Sequence, residues 1–404
     1  MKNRSVWGLA AALLLLTMGA MMLIPGCAVQ PEPEPTIVTG WQTMEEVKYY
    51  YLEDGSLATG WQDMEDGRRY FAADGAMVTG WQEIGGKRYW FDGNGVAAIG
   101  WQEAEGQKYY FCEDNALATG QVTIDGRLHN FAEDGTLTTG FIQQEDGSYL
   151  YFNEGALVTG WIDHDEKRYY ANEDGQLHTG WLELGEYRYY FHPDGIMATG
   201  ANQIDGKQYY FTPKGIHIWL VNPWNKLHED YNPDLVEISY YKVDRSCYNA
   251  LVQMMEDCAE AGHEPMICSG YRTQADQSYL FGRKVDYFLE QGLDNFNAQV
   301  RAARIVAIPG TSEHQLGLAV DMVSTDYYVL DESQATTRTQ QWLMEHCWEY
   351  GFILRYPLGT TEITGIIYEP WHYRYVGVEV ALELRDLGIT LEEYLGAVTS
   401  ENSQ

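Results

Sequence analysis

Four residues in the second half of the sequence have the chemical types and the spacing of a hydrolytic metal site. His314 and Asp321 are seven residues apart in GTSEHQLGLAVDM, and His372 lies three residues after Glu369 in YEPWH. Two imidazoles and one carboxylate are a sufficient ligand set for a catalytic Zn²⁺ ion, because three protein ligands leave a fourth position open for water. Glu369 is close to the last ligand and could accept a proton from that water.

The same spacing has simpler structural interpretations. The run QLGLAV between His314 and Asp321 is small and apolar, as a buried strand would be. A histidine and an aspartate on neighbouring strands can form a hydrogen-bonded pair without a metal, and EPWH could be a turn over a buried tryptophan. The spacing by itself therefore leaves both a metal site and a structural pair open.

The segments around these residues predict an α+β domain. Apolar residues recur at helical spacing in NALVQMMEDCAEAG, TRTQQWLMEHCWEYG and VGVEVALELRDLG. Short strand-like runs are EPMICSGYR, LGLAVDM and GIIYEPWHYR. Helices grouped around a few strands are typical of α+β domains. A chain of 404 residues is too long for one ordinary core, so we expect at least one further domain.

The first half of the chain is a repeat of twenty residues. The repeating glycines are Gly40, Gly60, Gly80, Gly100, Gly120, Gly140, Gly160, Gly180 and Gly200. A second glycine, usually after Asp or Asn, supplies the positive φ of a tight turn, and aromatic clusters such as KYYY and YRYYF suit strands. One unit this short cannot bury its own apolar face, whereas stacked units can. The period therefore predicts a β-hairpin solenoid over residues 39–218.

In their G-W start, aromatic triplet and D-G turn, these units resemble the choline-binding, or cell-wall-binding, repeats of Gram-positive surface proteins. The resemblance implies that aromatic rings of neighbouring repeats hold a quaternary ammonium such as choline, or a wall glycan. The residues expected to contact this ligand are Trp41, Trp61, Trp81, Trp101, Trp161 and Trp181. The alternative is that the rings only form the solenoid core. Gln121, Phe141 and Ala201 replace the tryptophan in three repeats, so ligand sites are not expected there.

Four ordered motifs in the second half are SGYRT, GTSEHQLGLAVDM, YGFILRYP and TGIIYEPWHYRYVG. From about residue 220 to residue 396 they resemble the VanY-like zinc D-alanyl-D-alanine carboxypeptidases. The resemblance implies that His314, Asp321 and His372 bind Zn²⁺. It also implies that Glu369 is the general base and then the general acid.

The resemblance further implies roles for residues around the metal. Arg272 would polarise the scissile carbonyl and stabilise the oxyanion, while Gln277 and Ser312 would hold the terminal part of the substrate. We interpret Glu313 as supporting a ligand or lying at the surface. The expected function is hydrolysis of the terminal D-Ala-D-Ala bond of peptidoglycan stem peptides by an enzyme held on the wall. The alternatives are an L,D-carboxypeptidase acting on tetrapeptide stems, a non-catalytic wall adhesin, and a toxin-like binder of host carbohydrate.

The charge and the N-terminus indicate an exported protein. The formal net charge of −33 argues against nucleic acid as a partner. The start MKNRSVWGLAAALLLLTMGA has a positive n-region and an apolar h-region, as in a secretory signal. LIPGC resembles a bacterial lipobox, which implies lipidation of Cys27 and anchoring to the membrane at the surface of a Gram-positive cell. A plain signal peptide or an uncleaved signal anchor is the alternative.

These observations predict five segments along the chain. They are a signal peptide (1–26), a linker (27–38), wall-binding repeats (39–218), a zinc D,D-carboxypeptidase domain (219–398) and a tail (399–404).

Overall fold

The computed structural model describes residues 38–397. The predicted signal peptide, Cys27 and the predicted tail lie outside the described residues. Within them, no helix is both long enough and apolar enough to span a membrane. The chain forms two compact units, one ending at Gly120 but including Phe131–Thr136, and one containing Gln121–Asn130 and everything from Leu137 onward.

The repeats fold as antiparallel β-hairpins, which confirms the predicted fold of this region. Their strands are β1 (Gly40–Met44), β2 (Val47–Tyr51), β3 (Gly60–Met64), β4 (Gly67–Phe71), β5 (Gly80–Ile84), β6 (Lys87–Phe91), β7 (Gly100–Ala104), β8 (Gln107–Phe111), β9 (Gly120–Ile124), β10 (Arg127–Phe131), β11 (Gly140–Gln143), β12 (Tyr149–Asn153), β13 (Ala156–Leu157), β14 (Gly160–His164), β15 (Lys167–Ala171), β16 (Gly180–Leu184), β17 (Tyr187–Phe191), β18 (Gly200–Ile204), β19 (Lys207–Phe211) and β20 (His217–Ile218). In each tryptophan-bearing hairpin the G-W strand pairs with the aromatic strand, so that Trp161 lies opposite Tyr170.

Successive hairpins pack through aromatic rings and through a close approach at the second glycine. The ring centroids of Trp161 and Tyr189, on consecutive hairpins, are 5.1 Å apart. Gly175 has a φ of +81°, and a Cβ atom added there would lie 2.7 Å from the side chain of Leu157 in the preceding repeat. Glycine is therefore required at this position both by the backbone conformation and by the packing of one repeat on the next.

Gly175→Ala should destabilise the chain more than Gly180→Ala. Both glycines have a φ of +81°, but a Cβ at Gly180 would meet nothing within 4 Å. The left-handed backbone should lower the free energy of unfolding of each variant by about 1 kcal/mol. Overpacking should lower that of Gly175→Ala by a further ~1–3 kcal/mol. Urea unfolding followed by tryptophan fluorescence measures the difference. Equal losses of stability in the two variants would contradict the packing argument.

The second half of the chain is an α+β domain, as predicted. Its strands are β21 (Leu235–Ile238), β22 (Tyr241–Asp244), β23 (Pro265–Ser269), β24 (Ala319–Ser324), β25 (Phe352–Leu354) and β26 (His372–Tyr375). Its α-helices are α1 (Arg245–Glu260), α2 (Gln274–Glu290), α3 (Asn295–Ala303), α4 (Arg338–His346), α5 (Thr361–Thr364), α6 (Val378–Leu387) and α7 (Leu391–Tyr394). Short 3₁₀ helices cover Glu313–Leu316, Glu332–Thr336 and Cys347–Tyr350.

A four-stranded antiparallel sheet in the order β23-β24-β26-β25 forms the centre of this domain. All six residues of β24 are buried, and its side chains Val320 and Met322 pack with Leu251 and Met254 of α1. The N-cap residue of α2 is Thr273, whose side chain forms a reciprocal capping box with Asp276. The sheet and the start of α2 are therefore well-defined elements that can hold functional side chains in fixed positions.

The last repeats and the α+β domain share one hydrophobic core. Phe191 and Ile218 of the repeats belong to the same buried cluster as Val380 and Leu384 of α6. Lys214 also forms an ion pair with Glu379, with a separation of 2.5 Å between Nζ and Oε1. The predicted domain boundary after Ile218 therefore falls inside a continuous core.

Candidate active site

Three elements bring the predicted metal ligands together. His314 lies in the 3₁₀ helix that precedes β24, Asp321 lies within β24, and His372 is the first residue of β26. The register of β24 and β26 places Asp321 directly opposite His372. Asp321 Oδ2 is 3.2 Å from His314 Nε2, and Asp321 Oδ1 is 3.0 Å from His372 Nδ1. All three residues are buried, and their candidate ligand atoms lie within 4.8 Å of one another.

Hydrogen bonds at the outer nitrogens orient the two imidazoles. His314 Nδ1 lies 2.8 Å from the carbonyl oxygen of Gly270, so that its N–H donates there and Nε2 faces Asp321. His372 Nε2 lies 3.5 Å from Glu313 Oε2, which leaves Nδ1 for the site. Such outer partners fix the tautomer of a metal-bound histidine. The donor set, its convergence and its oriented imidazoles fit a Zn²⁺ ion.

Glu313 is part of a buried ion cluster that sequence analysis did not predict. Its Oε1 atom accepts hydrogen bonds from Arg355 Nε and Arg374 Nη1, each at 2.8 Å. Arg355 also donates to Glu392 at 2.9 Å. Burial disfavours the charged carboxylate, but the two guanidinium groups hold the pKa of Glu313 below its usual range. Glu313 therefore supports His372 and does not lie at the surface, where one of our two interpretations placed it.

Arg355→Met should destabilise the chain by about 3–5 kcal/mol, because it leaves two buried carboxylates without their shared partner. The matched control is Arg304→Met, which removes a pair with Glu362 whose side chains are 52% and 63% exposed. That exposed pair should cost about 1 kcal/mol or less. Chemical unfolding of both variants gives the comparison. A loss in Arg355→Met no larger than in the control would show that the buried cluster contributes little.

The surroundings of the site shift the pKa values of its two histidines in opposite directions and also shift the pKa of the neighbouring carboxyl group. Burial, together with the charge of Arg272, lowers the pKa of His314 to about 4. Burial opposes the charged form of His372 as well, but hydrogen bonds to Asp321 and Glu313 outweigh it and raise the pKa to about 9. Burial raises the pKa of Glu369 to about 8. In neutral solution, His372 therefore carries a proton that a metal ion must displace.

Zn²⁺ should bind the chelator-treated protein more tightly as the pH rises from 7 to 9. One proton must leave His372, so the affinity should increase about tenfold per pH unit and level off above the pKa of that histidine. Competition against a chromophoric chelator measures the affinity at each pH. Calorimetry in buffers of different ionisation enthalpy counts the protons released. An affinity that stays constant over this range would contradict the assigned protonation.

A cavity of about 250 Å³ opens onto these residues and includes Arg272, Ser312 and Glu369 in its lining. Glu369 is 7% exposed, and its Oε2 atom lies 3.9 Å from His372 Nδ1. Arg272 Nη2 donates to Asp321 Oδ2 at 2.9 Å. Gln277 is fully buried and donates to the carbonyl oxygen of Ala307 at 2.7 Å, so its amide is held by the protein. Its predicted contact with the substrate stays a prediction.

EPWH is both a turn and part of the site. The backbone N–H of His372 donates to the carbonyl oxygen of Glu369 at 3.2 Å, and Trp371 beneath this turn is buried. The turn places the carboxylate of Glu369 in the cavity wall, beside the candidate ligand His372. The motif therefore forms a turn over a buried tryptophan and also lines the cavity, while the catalytic role of Glu369 stays a prediction.

The tryptophans predicted to hold the wall ligand each carry a cation over the ring. The distances from the cationic group to the ring centroid run from 4.0 to 5.3 Å. The pairs are Arg69 with Trp41, Arg68 with Trp61, Arg88 with Trp81, Lys108 with Trp101, Arg168 with Trp161, and Arg188 with Trp181. In the last five pairs both residues belong to one hairpin. One face of each of these rings is therefore already occupied by a cationic side chain of the chain itself.

Comparison with known families agrees with both halves of the structure. The model of the VanY family, described as D-alanyl-D-alanine carboxypeptidase, matches residues 240–378. The choline-binding repeat model matches residues 38–79, 78–116 and 178–215, and a second model of wall-binding repeats matches 159–177. The fold and the site thus define a metallopeptidase domain preceded by wall-binding repeats.

Individual relatives resemble the second half of the chain. A D-alanyl-D-alanine carboxypeptidase of Enterococcus faecalis is 40% identical over 177 residues, which is 44% of this chain and 64% of that protein. A Bacillus subtilis protein named "Putative carboxypeptidase YodJ" is 35% identical over 191 residues, 44% of this chain and 67% of that protein. A VanY D,D-pentapeptidase mutant from a VanB-type vancomycin-resistance cassette, crystallised with Zn(II), is 38% identical over 44% of this chain and 97% of that chain, with a TM-score of 0.41. The chain belongs to the VanY family. It spans slightly less than two thirds of the Enterococcus faecalis relative.

Proposed function

We propose that this protein is a zinc carboxypeptidase that removes the terminal D-alanine from peptidoglycan stem peptides ending in D-Ala-D-Ala. The observation that carries the proposal is the convergence of His314, Asp321 and His372 within 4.8 Å, at a cavity that Glu369 also lines. Membership of the VanY family and the name of the Enterococcus faecalis relative support this substrate.

The residues of the site have distinct tasks in such a reaction. Zn²⁺ bound by the three ligands would supply Lewis acidity and a water molecule that ionises near neutral pH. Glu369 accepts the proton of the attacking water and later delivers it to the amine of the departing D-alanine. A carboxylate at this position can accept the proton from the water and hold it between the two transfers. Arg272 donates hydrogen bonds toward the carbonyl oxygen on which negative charge develops.

Glu369→Gln should lower kcat for a stem pentapeptide by about 10²–10⁴-fold while leaving the zinc content unchanged, because it removes only the proton acceptor. Mass spectrometry of the full-length chain follows loss of one alanine, with and without a zinc chelator. The control Glu362→Gln changes an exposed carboxylate outside the cavity and should retain wild-type activity.

The same assay distinguishes the alternative functions. Chelator-sensitive cleavage of the pentapeptide by the wild-type chain supports the D,D-carboxypeptidase. Cleavage of only the matched tetrapeptide would reassign the protein as an L,D-carboxypeptidase. A zinc-loaded chain that cleaves neither peptide would contradict both and favour a wall adhesin.

We further propose that the repeats hold the enzyme on the wall through glycan and not through choline. Binding to the wall would raise the local concentration of stem peptides at the active site. A quaternary ammonium needs an open aromatic face, but an Arg or Lys of the chain lies over one face of each predicted tryptophan at 5.3 Å or less. A second cation at such a face would be repelled by the first.

Choline should therefore produce no saturable change in the tryptophan fluorescence of the wild-type chain. Arg168→Gln and Arg188→Gln uncover the rings of Trp161 and Trp181 and should create or strengthen a choline response. Sedimentation with purified peptidoglycan, with and without its choline-bearing polymers, tests the wall ligand in parallel. Saturable binding of choline by the wild-type chain, unaffected by the two substitutions, would sink this part of the proposal.

The cellular location is also a proposal. The sequence pattern of residues 1–26 supports export, and LIPGC supports a lipid at Cys27. Together with wall-binding repeats, this would place the enzyme at the cell surface, anchored to the membrane and in contact with the wall.

A further inference from the structure

The lining of the active-site cavity includes two basic side chains, Arg272 and Lys284. The guanidinium of Arg272 donates to Asp321, to Ser269 and to Gln277, so the protein itself holds this group. Lys284 differs, because its ammonium makes no hydrogen bond or ion pair with any residue between 38 and 397. Lys284 Nζ lies 5.6 Å from the centroid of the Tyr287 ring.

The position of Lys284 follows from the geometry of α2. The N-cap residue of this helix, Thr273, directly follows Arg272, and residues four apart on a helix lie on the same face. Leu280 and Lys284 are such a pair, and both line the cavity. The charge of Lys284 also acts on Glu369, whose pKa burial raises and Lys284 lowers. Lys284 is thus a partly exposed cation within electrostatic reach of the catalytic carboxylate.

We propose that Lys284 binds the free carboxylate of the terminal residue of the substrate and thereby restricts cleavage to the last peptide bond. The inference rests on the proposed carboxypeptidase function. A carboxylate that enters a partly closed cavity must find a donor to replace its water, and a charge-assisted hydrogen bond to an ammonium is a strong replacement. A substrate that ends in a carboxamide would leave the ammonium without its partner.

The test compares a stem pentapeptide with the same peptide carrying a C-terminal carboxamide, using the full-length zinc enzyme. The wild-type enzyme should prefer the free carboxylate. Lys284→Met should raise KM for the free acid by about 10- to 100-fold, with little change in kcat, and should reduce the preference over the carboxamide. Lys284→Arg should restore part of the preference because it restores the cation.

Arg283→Met is the matched control. It removes an exposed cation from the neighbouring position of α2, outside the cavity lining, and should retain wild-type kinetics. Lys284→Met that discriminates between free acid and carboxamide as strongly as the wild type would overturn the inference. A loss of binding that instead follows amidation of a side-chain carboxylate earlier in the stem would also overturn it. If the zinc-loaded wild-type chain cleaves no stem peptide, the proposed function itself fails.

Discussion

The pairing of β24 with β26 is the constraint on which the geometry of the site depends. In this register Asp321 faces His372, while β23 places Ser269 opposite Asp321 on the other side. Side chains alternate between the two faces of a strand, so a shift of one residue would turn a ligand away from the site. Because β24 is buried on both faces, such a shift would also move its apolar side chains into packing positions on the opposite face that do not fit them. The hydrophobic core of the domain and the ligand geometry are therefore maintained by the same contacts.

The buried ion cluster extends this constraint to elements outside the sheet. Glu313 belongs to the 3₁₀ helix before β24, Arg355 follows β25, and Glu392 lies in α7. Removing these charges from water costs free energy, so the intact cluster need not be more stable than apolar residues of the same volume would be. Its directional hydrogen bonds nevertheless define how the elements meet. One carboxylate oxygen of Glu313 binds the two arginines, and the other faces His372. A change at the far end of the cluster can therefore alter the orientation of His372, a candidate metal ligand.

The sequence was sufficient to predict the hairpin repeats, the α+β class and the three residues that converge. These predictions rest on local patterns, namely a glycine period, apolar periodicity and short motifs. The ion cluster was not predictable in this way, because Glu313 and Arg355 are 42 residues apart and Arg355 follows an apolar strand that resembles ordinary core. The helix α2 was also missed, and with it Lys284. By contrast, the cation over Trp61 was within reach of sequence reasoning, since Asp63 and Arg68 face each other across the same hairpin.

The core shared by the last repeats and the peptidase domain has a mechanical consequence. A flexible tether would let a wall-bound enzyme sample stem peptides in every direction within its reach. Here Phe191 and Ile218 pack with Val380 and Leu384, so no loose segment separates the final hairpins from the sheet that carries the ligands. If the last hairpins bind the wall as proposed, the opening of the cavity would be held at a fixed distance and orientation from the point of attachment. Under the proposed function, this arrangement would confine cleavage to stem peptides at a fixed distance from the point of attachment.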